Sequence, residues 1–278
     1  MSSAVHSEPM PLRRRWHLGT TAKQAAFGYA ILFPTIAILF IFRFLPMIEA
    51  FVISFSKYDL IHPRQFVGFA NFVALIHDPL FRNSARVSLT YVVFSVLPVW
   101  PLSLALAVLF NRGLWLKNLM RSAVFMPVVM PAVVMAVVWT FMYHQDGVIN
   151  TMLGWFGIDP VPWLRSSSTA LWAVILIGIW RATPYYMVIF LAGLQGISTT
   201  LYEAASMDGA NRWHRFRYIT VPMLAPTTFF VLIISIIGSF QVFDLAFVLT
   251  RGGPGDATNT MVMYIYNQAF QFFHMGYA

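Results

Sequence analysis

Charged residues with a regular spacing are concentrated between positions 203 and 222, in the stretch EAASMDGANRWHRFRYITVP. This stretch contains two acids and three arginines, although the whole chain is 59% hydrophobic and only 10% charged. Glu203 and Asp208 precede a glycine, Gly209, while Arg212 and Arg215 follow it. Carboxylate and guanidinium groups form strong charge-assisted hydrogen bonds with groups of opposite charge. Charge alone nevertheless favours an ordinary loop with solvated basic residues.

No catalytic motif accompanies these residues. The seven histidines are scattered, and neither a His-Glu-x-x-His zinc motif nor a Gly-x-Ser-x-Gly nucleophile elbow occurs. None of the three lysines follows a glycine, so a phosphate-binding loop for ATP would have to come from another polypeptide. The absence of cysteine excludes disulfides and cysteine-based metal sites. The sequence therefore predicts no catalytic, cofactor or metal site in this chain.

The elements that must position the charged stretch are apolar segments long enough to cross a bilayer. A membrane-spanning helix needs about 20 apolar residues, and the mean hydropathy of the chain is +0.69. Four segments lack Asp, Glu, Lys and Arg, and a fifth is interrupted only by Arg181. These predicted spans are Gln24–Phe42, Val87–Asn111, Ser122–Gln145, Thr169–Gln195 and Tyr218–Phe243. They are too long for the strands of an outer-membrane barrel, which predicts an all-α membrane protein.

Lys and Arg are distributed unevenly around these spans, which predicts the orientation of the chain. The stretch PLRRRWHLGTTAK places four basic residues ahead of the first span, and basic residues favour the cytoplasmic side. We therefore predict a cytoplasmic tail (1–24) and one membrane domain (25–278), whose first span is a retained signal anchor. Alternation then puts 44–86 and 146–168 outside and 196–222 in the cytoplasm. The cytoplasmic segments hold ten Lys or Arg and the external ones six, which explains the formal charge of +8 without nucleic acid.

The charged stretch itself is predicted to form two short helices. Thr200 and Glu203 have the Thr-x-x-Glu spacing of a capping box, which predicts that Thr200 begins the first helix. Gly209 is placed to let the chain turn out of this helix in a left-handed conformation. The second helix is expected from about Ala210, and Pro222 opens the last span.

The spacing of this stretch resembles the EAA motif, EAA-x3-G-x9-I-x-L-P, of membrane subunits in bacterial binding-protein-dependent ABC importers. The matching residues are Glu203, Ala204, Ala205, Gly209, Ile219 and Pro222, with Val221 in place of Leu. The sequence MDGA at 207–210 also has the form common in that family. Further segments are similar to permeases of the maltose and glycerol-3-phosphate type, and the similarity extends over nearly the whole chain. They are FVGFANFVAL (66–75), LAGLQGIS (191–198) and FDLAFVLTRGGPGDATNT (243–260).

This resemblance implies an all-α transmembrane bundle of the type I ABC importer permease kind, with a sixth helix expected after Ala278. It implies a multi-pass protein of the bacterial inner membrane, with a cytoplasmic N-terminus, that transports a sugar, an oligosaccharide or a glycerol-phosphate compound. The expected partners are a second homologous permease, two ATPase subunits, an extracytoplasmic solute-binding protein or lipoprotein, and membrane lipid. ATP and Mg would bind to the ATPase subunits and not to this chain.

In such a protein the cytoplasmic segment 196–222, called the EAA loop below, would couple the permease to its ATPase. Glu203 would be the polar anchor, and Gly209 would set the angle between the two short helices. The full set of coupling residues implied by the resemblance is Glu203, Ala204, Ala205, Asp208, Gly209, Arg212, Arg215, Ile219 and Pro222. Arg212 and Arg215 either pair with acids of the ATPase or remain solvated.

Two charged residues lie within the predicted spans, where charges are costly. Arg181 lies near the middle of the fourth span, and Asp244 lies at the outer end of the fifth, directly after its uncharged run Tyr218–Phe243. The two are roughly two helical turns apart in depth. Such residues normally face a bundle interior or a water-filled cavity, so we predict a translocation pathway or gate, with a structural ion pair as the alternative. Further candidates for the walls of the pathway, or else packing residues, are Tyr185, Phe240, Gln241 and Phe243.

A self-sufficient secondary transporter or a membrane-embedded enzyme is the competing interpretation. Either would need paired intramembrane carboxylates or a catalytic cluster, whereas Asp244 is the only acid within a predicted span. The sequence therefore favours a non-catalytic permease subunit that depends on a separate ATPase.

Overall fold

The computed structural model describes residues 18–111 and 117–278. The predicted cytoplasmic tail lies outside the described residues as far as position 17, and so do residues 112–116 of the connection between the second and third predicted spans. The described residues are mostly helical, and their one small sheet pairs β1 (Ser56–Lys57) with β2 (Gln65–Phe66) in antiparallel register.

The helices of the described residues follow one another with short connections. In chain order they are α1 (Leu18–Leu39), α2 (Leu45–Ser54), α3 (Ala70–His77), α4 (Pro79–Phe110), α5 (Lys117–Val129), α6 (Ala132–Met142), α7 (Val148–Gly154), α8 (Ala170–Gln195), α9 (Thr199–Met207), α10 (Arg212–Arg215), α11 (Val221–Met223), α12 (Ala225–Phe240), α13 (Asp244–Leu249) and α14 (Met261–Tyr266). Three π-helical turns continue α1, α10 and α14, at Phe40–Phe44, Phe216–Thr220 and Asn267–Gln271.

Four helical segments of the described chain are long and apolar enough to cross a membrane, and α5 with α6 form a bent fifth candidate. The four are Ala22–Ser54, Pro79–Phe110, Ala170–Gln195 and Ala225–Leu249. This arrangement confirms the predicted all-α bundle with several spans.

The predicted segment 44–86 overlaps helices at both of its ends. The first long helix passes through the π-helical turn at Phe40–Phe44 and continues to Ser54, so Pro46 does not end it. At the other end, α4 already begins at Pro79, where Asp78 caps it: Asp78 Oδ1 accepts from the amide of Leu80 at 2.7 Å. The charged residues that ended the apolar runs in the sequence therefore do not end the helices.

The third predicted span, Ser122–Gln145, is sharply bent in the structure. The axes of α5 and α6 differ in direction by 100°, and the break lies between Val129 and Ala132. Pro131 at this break has an extended ψ of 133°. Proline lacks an amide hydrogen and disfavours a helical conformation in the residue before it, so the helix ends there.

The core of the bundle is the contact between α4 and α8, which α12 completes. Gly178 of α8 allows the close approach, because a Cβ there would overlap the hydroxyl oxygen of Tyr91 on α4. Large side chains that are almost fully buried fill the remaining space, including Phe110 of α4, Met187 and Phe190 of α8. This packing fixes the faces of the three helices that surround the site described next.

Residues from three distant parts of the chain meet at Asp78. Its Oδ2 accepts hydrogen bonds from the hydroxyls of Tyr264, at 2.6 Å, and Tyr277, at 2.9 Å. Burial raises the pKa of Asp78, but these hydroxyls and two backbone amides outweigh burial and hold the pKa below its ordinary value. Gly276, beside Tyr277, donates its amide to the carbonyl of Tyr58 at 3.2 Å. The cluster therefore ties Tyr264 and Tyr277 to the residue that caps α4.

Candidate functional site

A cavity of about 400 Å³ lies between α4, α8 and α12, at the point where α12 ends and α13 begins. The lining residues that bear polar side chains come from all of these elements. They are Tyr91, Ser95, Arg181, Tyr185, Tyr186, Ser235, Ser239, Gln241 and Asp244. The cavity is thus a polar site inside an otherwise apolar bundle.

The cavity holds an ion pair between Arg181 of α8 and Asp244 at the start of α13. Arg181 Nη1 and Asp244 Oδ2 lie 3.8 Å apart, and their side chains are 37% and 50% exposed. The predicted separation of two turns is wrong, because the last span is not one straight helix. α12 ends at Phe240, and the non-helical residues up to Phe243 bring Asp244 beside α8.

Most polar groups of the cavity have no hydrogen-bond partner within the described chain. This holds for the hydroxyls of Tyr91, Tyr185 and Tyr186, whereas Ser95 donates to Ser239 at 3.2 Å. As whole residues, Tyr91 and Tyr186 are 5% and 8% exposed, whereas Tyr185 is 48% exposed. Unpaired polar groups in a buried position are costly, and a polar solute or water in the cavity would satisfy them.

The structure brings five of the six predicted pathway residues together. Arg181, Tyr185, Gln241, Phe243 and Asp244 all line the cavity. The sixth, Phe240, is 44% exposed and lies outside the lining.

Sequence reasoning missed the contributions of α4 and α12 to this cavity, namely Tyr91, Ser95, Ser235 and Ser239. A usable signal was present. Ser235 and Ser239 are four residues apart on an apolar helix, which places two hydroxyls on one face.

The EAA loop consists of two short helices with a tight turn between them. Ser198, and not the predicted Thr200, caps α9, and its side chain accepts from the amide of Thr200 at 3.3 Å. Gly209 has a φ of +78°, the left-handed conformation expected for it. The amide of Ala210 donates to the carbonyl of Ala205 at 2.8 Å, and the amide of Gly209 donates to the carbonyl of Ser206 at 3.1 Å. These are the two bonds of a Schellman motif, which ends the helix.

Two side-chain hydrogen bonds hold the helices of the EAA loop against each other. Arg215 Nη1 donates to Ser206 Oγ at 2.7 Å, and the hydroxyls of Tyr202 and Thr220 are 2.9 Å apart. Asn211 caps α10 and accepts from the amide of His214 at 2.9 Å, so the second helix begins slightly later than predicted. Arg215 therefore has a bond within the loop, beyond the two roles considered from the sequence.

The remaining coupling candidates divide between an exposed and a packed face. Glu203, Ala204, Asp208, Arg212 and Pro222 are exposed, and Ala205 is half-buried. Ile219, by contrast, packs against the core cluster formed with α4 and α8.

The exposed face of the EAA loop includes large apolar side chains, since Met207 is 84% exposed and Trp213 is 66% exposed. Behind the loop, Arg212 and Arg215 line a second cavity of about 770 Å³ that reaches the ends of α4 and α8. The loop is thus anchored on one side and presents an acid, small residues and apolar residues on the other.

No group of three or more His, Asp or Glu side chains that could hold a metal ion occurs within residues 18–111 and 117–278.

Comparison with known proteins gives consistent matches over most of the chain. The model of a family described as "Binding-protein-dependent transport system inner membrane component" matches residues 99–275. A probable ABC transporter permease protein of Sinorhizobium fredii is 37% identical over 247 residues, which cover 87% of this chain and 80% of its own. The trehalose/maltose transport system permease protein MalF of Thermococcus litoralis is 33% identical over 256 residues, covering 91% and 85%.

A solved structure is similar in fold as well. The crystal structure of a bacterial alginate ABC transporter, in complex with an alginate pentasaccharide-bound periplasmic protein, contains a chain that superimposes with a TM-score of 0.82. The two chains are 27% identical, and the alignment covers 94% of this chain and 88% of the other.

Proposed function

The chain belongs to the family of binding-protein-dependent transport system inner membrane components, and we propose that it forms, with a second permease, the pathway for a sugar or an oligosaccharide. The names of its relatives support this class of solute. The protein of Thermococcus litoralis is named for trehalose and maltose, and the solved transporter for alginate.

The observation that carries the proposal is the polar cavity between α4, α8, α12 and α13. Its tyrosine hydroxyls, Gln241 and the pair of Arg181 and Asp244 lie within segments apolar enough to span a membrane. Polar and charged groups at such positions normally face a water-filled cavity or a solute path. We assign the translocation pathway to this cavity, with Tyr185, Gln241 and Phe243 in its walls.

The rigidity of the EAA loop favours a role in coupling to an ATPase. Its two helices are fixed to each other by the bond between Arg215 and Ser206, so that a force on α9 moves the whole loop. A rigid element of this kind transmits a rigid-body motion. In our proposal the exposed Glu203 is the polar anchor on the ATPase, and Met207 fills an apolar part of the same cleft.

The exposure of the first long helix favours a second permease as a partner. Within Ala22–Ser54, none of the residues of the most apolar 18-residue stretch is buried by the rest of the described chain. A helix that leaves its own bundle can pack against another subunit or face lipid. We propose that one side of this helix contacts the second permease and the other contacts lipid.

The complete transporter in this proposal has four kinds of subunit and lies in the bacterial inner membrane. Two ATPase subunits bind ATP and Mg on the cytoplasmic side, where the N-terminus and the EAA loop of this chain also lie. An extracytoplasmic binding protein or lipoprotein delivers the solute to the opposite face. This chain supplies the pathway and no catalytic residue.

The proposal is tested by reconstituting this chain with the second permease, the ATPase and the binding protein of the same transport system in proteoliposomes. We expect uptake of labelled maltotriose or of another oligosaccharide only when ATP and the binding protein are both present. Accumulation by the two permeases alone, without ATPase, would instead show a secondary transporter.

The role of the EAA loop is tested in the same assay with Glu203→Ala. A hydrogen bond to a charged group contributes about 1.5–3 kcal/mol, so we expect stimulated ATP hydrolysis to fall by about tenfold or more. Asp146→Ala is the matched control, because Asp146 is also an exposed acid, with a side chain that is 92% exposed, but lies outside the loop. Equal activity of both variants would contradict the coupling role.

A further inference from the structure

The second cavity lies between the EAA loop and the ends of α4 and α8, and it is called the loop cavity below. Its volume of about 770 Å³ falls within the range of about 300–1,000 Å³ that is usual for small-molecule sites. The ends of α4 and α8 contribute Val108, Asn111 and Leu194 to its described walls, and the EAA loop contributes Tyr202, Arg212, Trp213, Arg215, Phe216 and Thr220. The cavity is therefore formed within this chain, and the coupling role proposed above does not use it.

Two arginines are the only charged residues in the described lining of the loop cavity. Arg215 uses Nη1 for its bond to Ser206, at 2.7 Å, and its other two nitrogens have no partner in the part of the chain that the structure describes. Arg212 has no side-chain hydrogen bond or ion pair within the same part of the chain. A guanidinium group has five N–H donors and binds anionic oxygens strongly. The loop cavity thus offers several donors to an anion, whereas Glu203 and Asp208 of the same loop do not line it.

The other half of the lining is apolar and lies at the end of the spans. Val108 and Leu194 belong to the last turns of α4 and α8, which are long and apolar enough to cross a membrane. The rings of Trp213 and Phe216 lie 5.7 Å apart, and Trp213 is 66% exposed. Tryptophan is enriched where a membrane protein leaves the hydrocarbon layer. The loop cavity therefore places cationic donors beside apolar side chains at the level of the lipid head groups.

On the premise of the proposed function, which assigns this face to the cytoplasm, we propose that the loop cavity binds an anionic phospholipid of the cytoplasmic leaflet. The phosphate group accepts hydrogen bonds from Arg212 and Arg215, and the start of the acyl chains contacts the apolar wall. Basic pockets between membrane helices on the cytoplasmic side are typical sites for anionic head groups.

The lining favours an anionic phospholipid over a zwitterionic one and over free phosphate. A zwitterionic head group carries an ammonium beside its phosphate, and the described lining has no carboxylate that would bind this ammonium. Free phosphate would satisfy the two arginines but would leave four apolar side chains of the cavity in contact with water. A phospholipid with a neutral alcohol, such as phosphatidylglycerol, matches both halves of the lining.

The bound lipid adds polar contacts between the EAA loop and the bundle. The described packing of the loop against the core cluster is largely apolar and comes from Tyr202, Phe216 and Ile219. A head group in the loop cavity contacts both the loop and the ends of α4 and α8, so a motion of the loop passes to these helices more completely when the lipid is bound. This assigns Arg212 to a lipid, in addition to the two partners considered from the sequence.

The first experiment measures occupancy of the loop cavity by protection of a thiol. The chain has no cysteine, so Asn111→Cys introduces a single thiol into it at an exposed position of the lining. The assembled transporter is purified in detergent, depleted of lipid and treated with a soluble maleimide, and labelling of this chain is followed on a gel. The probes, each added separately, are dihexanoylphosphatidylglycerol, dihexanoylphosphatidylcholine and inorganic phosphate.

We expect the phosphatidylglycerol to slow labelling at concentrations at which the phosphatidylcholine and inorganic phosphate do not. Arg212→Gln should raise the concentration for half-protection by about tenfold or more, because charge-assisted hydrogen bonds are lost. Arg217→Gln is the matched control, since it removes the same charge from an exposed position of the EAA loop that does not line the cavity. It should change the concentration by no more than about fivefold, the effect of an unspecific surface charge. The rate of labelling without lipid should be the same in all variants, which shows that the loop is folded.

Three outcomes would overturn the proposal. Equal loss of protection in Arg212→Gln and Arg217→Gln would show an unspecific attraction, and protection by inorganic phosphate at the same concentration would show a site for a free anion. Absence of protection by any probe, together with release of the ATPase by Arg212→Gln, would show that this arginine contacts the ATPase instead.

The second experiment compares solute-stimulated ATP hydrolysis in vesicles of phosphatidylcholine with and without phosphatidylglycerol. We expect phosphatidylglycerol to raise the stimulation in the parent transporter and in Arg217→Gln, but much less in Arg212→Gln. Protection of the thiol in a transporter that accumulates solute without ATP would support the lipid site and contradict the proposed function. ATP-driven uptake without protection would contradict the lipid site and leave the proposed function intact.

Discussion

Replacing Gly209 by valine tests whether the geometry of the EAA loop matters for coupling. Gly209 has a φ of +78°, and a Cβ there would meet no atom within 4 Å. The substitution therefore acts through backbone conformation alone, since no neighbour has to move. A left-handed conformation costs a residue with a side chain about 1–2 kcal/mol, and a β-branched residue is an outlier there.

A cost of this size lowers the population of the native turn by a factor of about 5–30. The chain can relieve the strain only by giving up the two Schellman hydrogen bonds at Ala205 and Ser206, which set the direction of α9. We expect the variant to insert normally, because no apolar segment changes, but to copurify poorly with the ATPase or to lose solute-stimulated ATP hydrolysis. Gly209→Asn should behave almost like the parent chain, because Asn tolerates this conformation.

Gly157 provides a matched control for this experiment. It has a φ of +73°, and a Cβ there also meets nothing within 4 Å, but it lies in the segment 146–168 and not in the EAA loop. Gly157→Val thus introduces the same backbone strain at a site without a coupling role. If Gly157→Val uncouples the ATPase as strongly as Gly209→Val, or if Gly209→Val assembles and transports normally, the reasoning about the loop is refuted.

Three further predictions follow from the fold. Met207→Cys and Ser167→Cys should react with a membrane-impermeant thiol reagent from opposite faces of the membrane, and labelling of both from one face would contradict the proposed topology. Gly178→Ala should lower the melting temperature of the purified chain through overpacking worth about 1–3 kcal/mol against Tyr91, whose hydroxyl a Cβ there would overlap. The pKa of Asp78 is held below its ordinary value of 3.8, so its carboxylate contributes stability above that pH, and this contribution is lost as pH falls through the pKa of the folded state. We expect Asp78→Asn to remove this acid dependence, as measured by melting temperature against pH.

Local structure in the EAA loop could be predicted closely from the sequence because it depends on neighbouring residues. The left-handed turn at Gly209 follows from a glycine placed after a helical stretch, and the structure confirms it. The prediction that Thr200 begins α9 is wrong, because Ser198 is also a good capping residue and lies two positions earlier. Ser198 caps the helix, and Thr200 lies within its first turn.

The behaviour of the prolines could not be predicted, because it depends on tertiary packing. Pro98 and Pro101 lie inside α4 and Pro184 lies inside α8 without ending either helix. Pro131, in a similarly apolar sequence, marks a 100° bend. A helix continues through proline only where other groups satisfy the freed carbonyls, and the sequence does not show which groups will be near.

The pairing of Arg181 with Asp244 depends on a break whose stabilising partner lies well beyond it in sequence. The carbonyl of Val242, within the break between α12 and α13, accepts a hydrogen bond from Thr260 Oγ1 at 3.0 Å. Thr260 is almost fully buried and also caps α14, since its side chain accepts from the amide of Met263 at 3.4 Å. A carbonyl that a helix break frees within a half-buried segment needs such a partner. The run FDLAFVLTRGGPGDATNT therefore contains the carboxylate of the cavity, Asp244, at its second residue. Its last residue, Thr260, supplies the hydroxyl that bonds to the helix break just before that carboxylate.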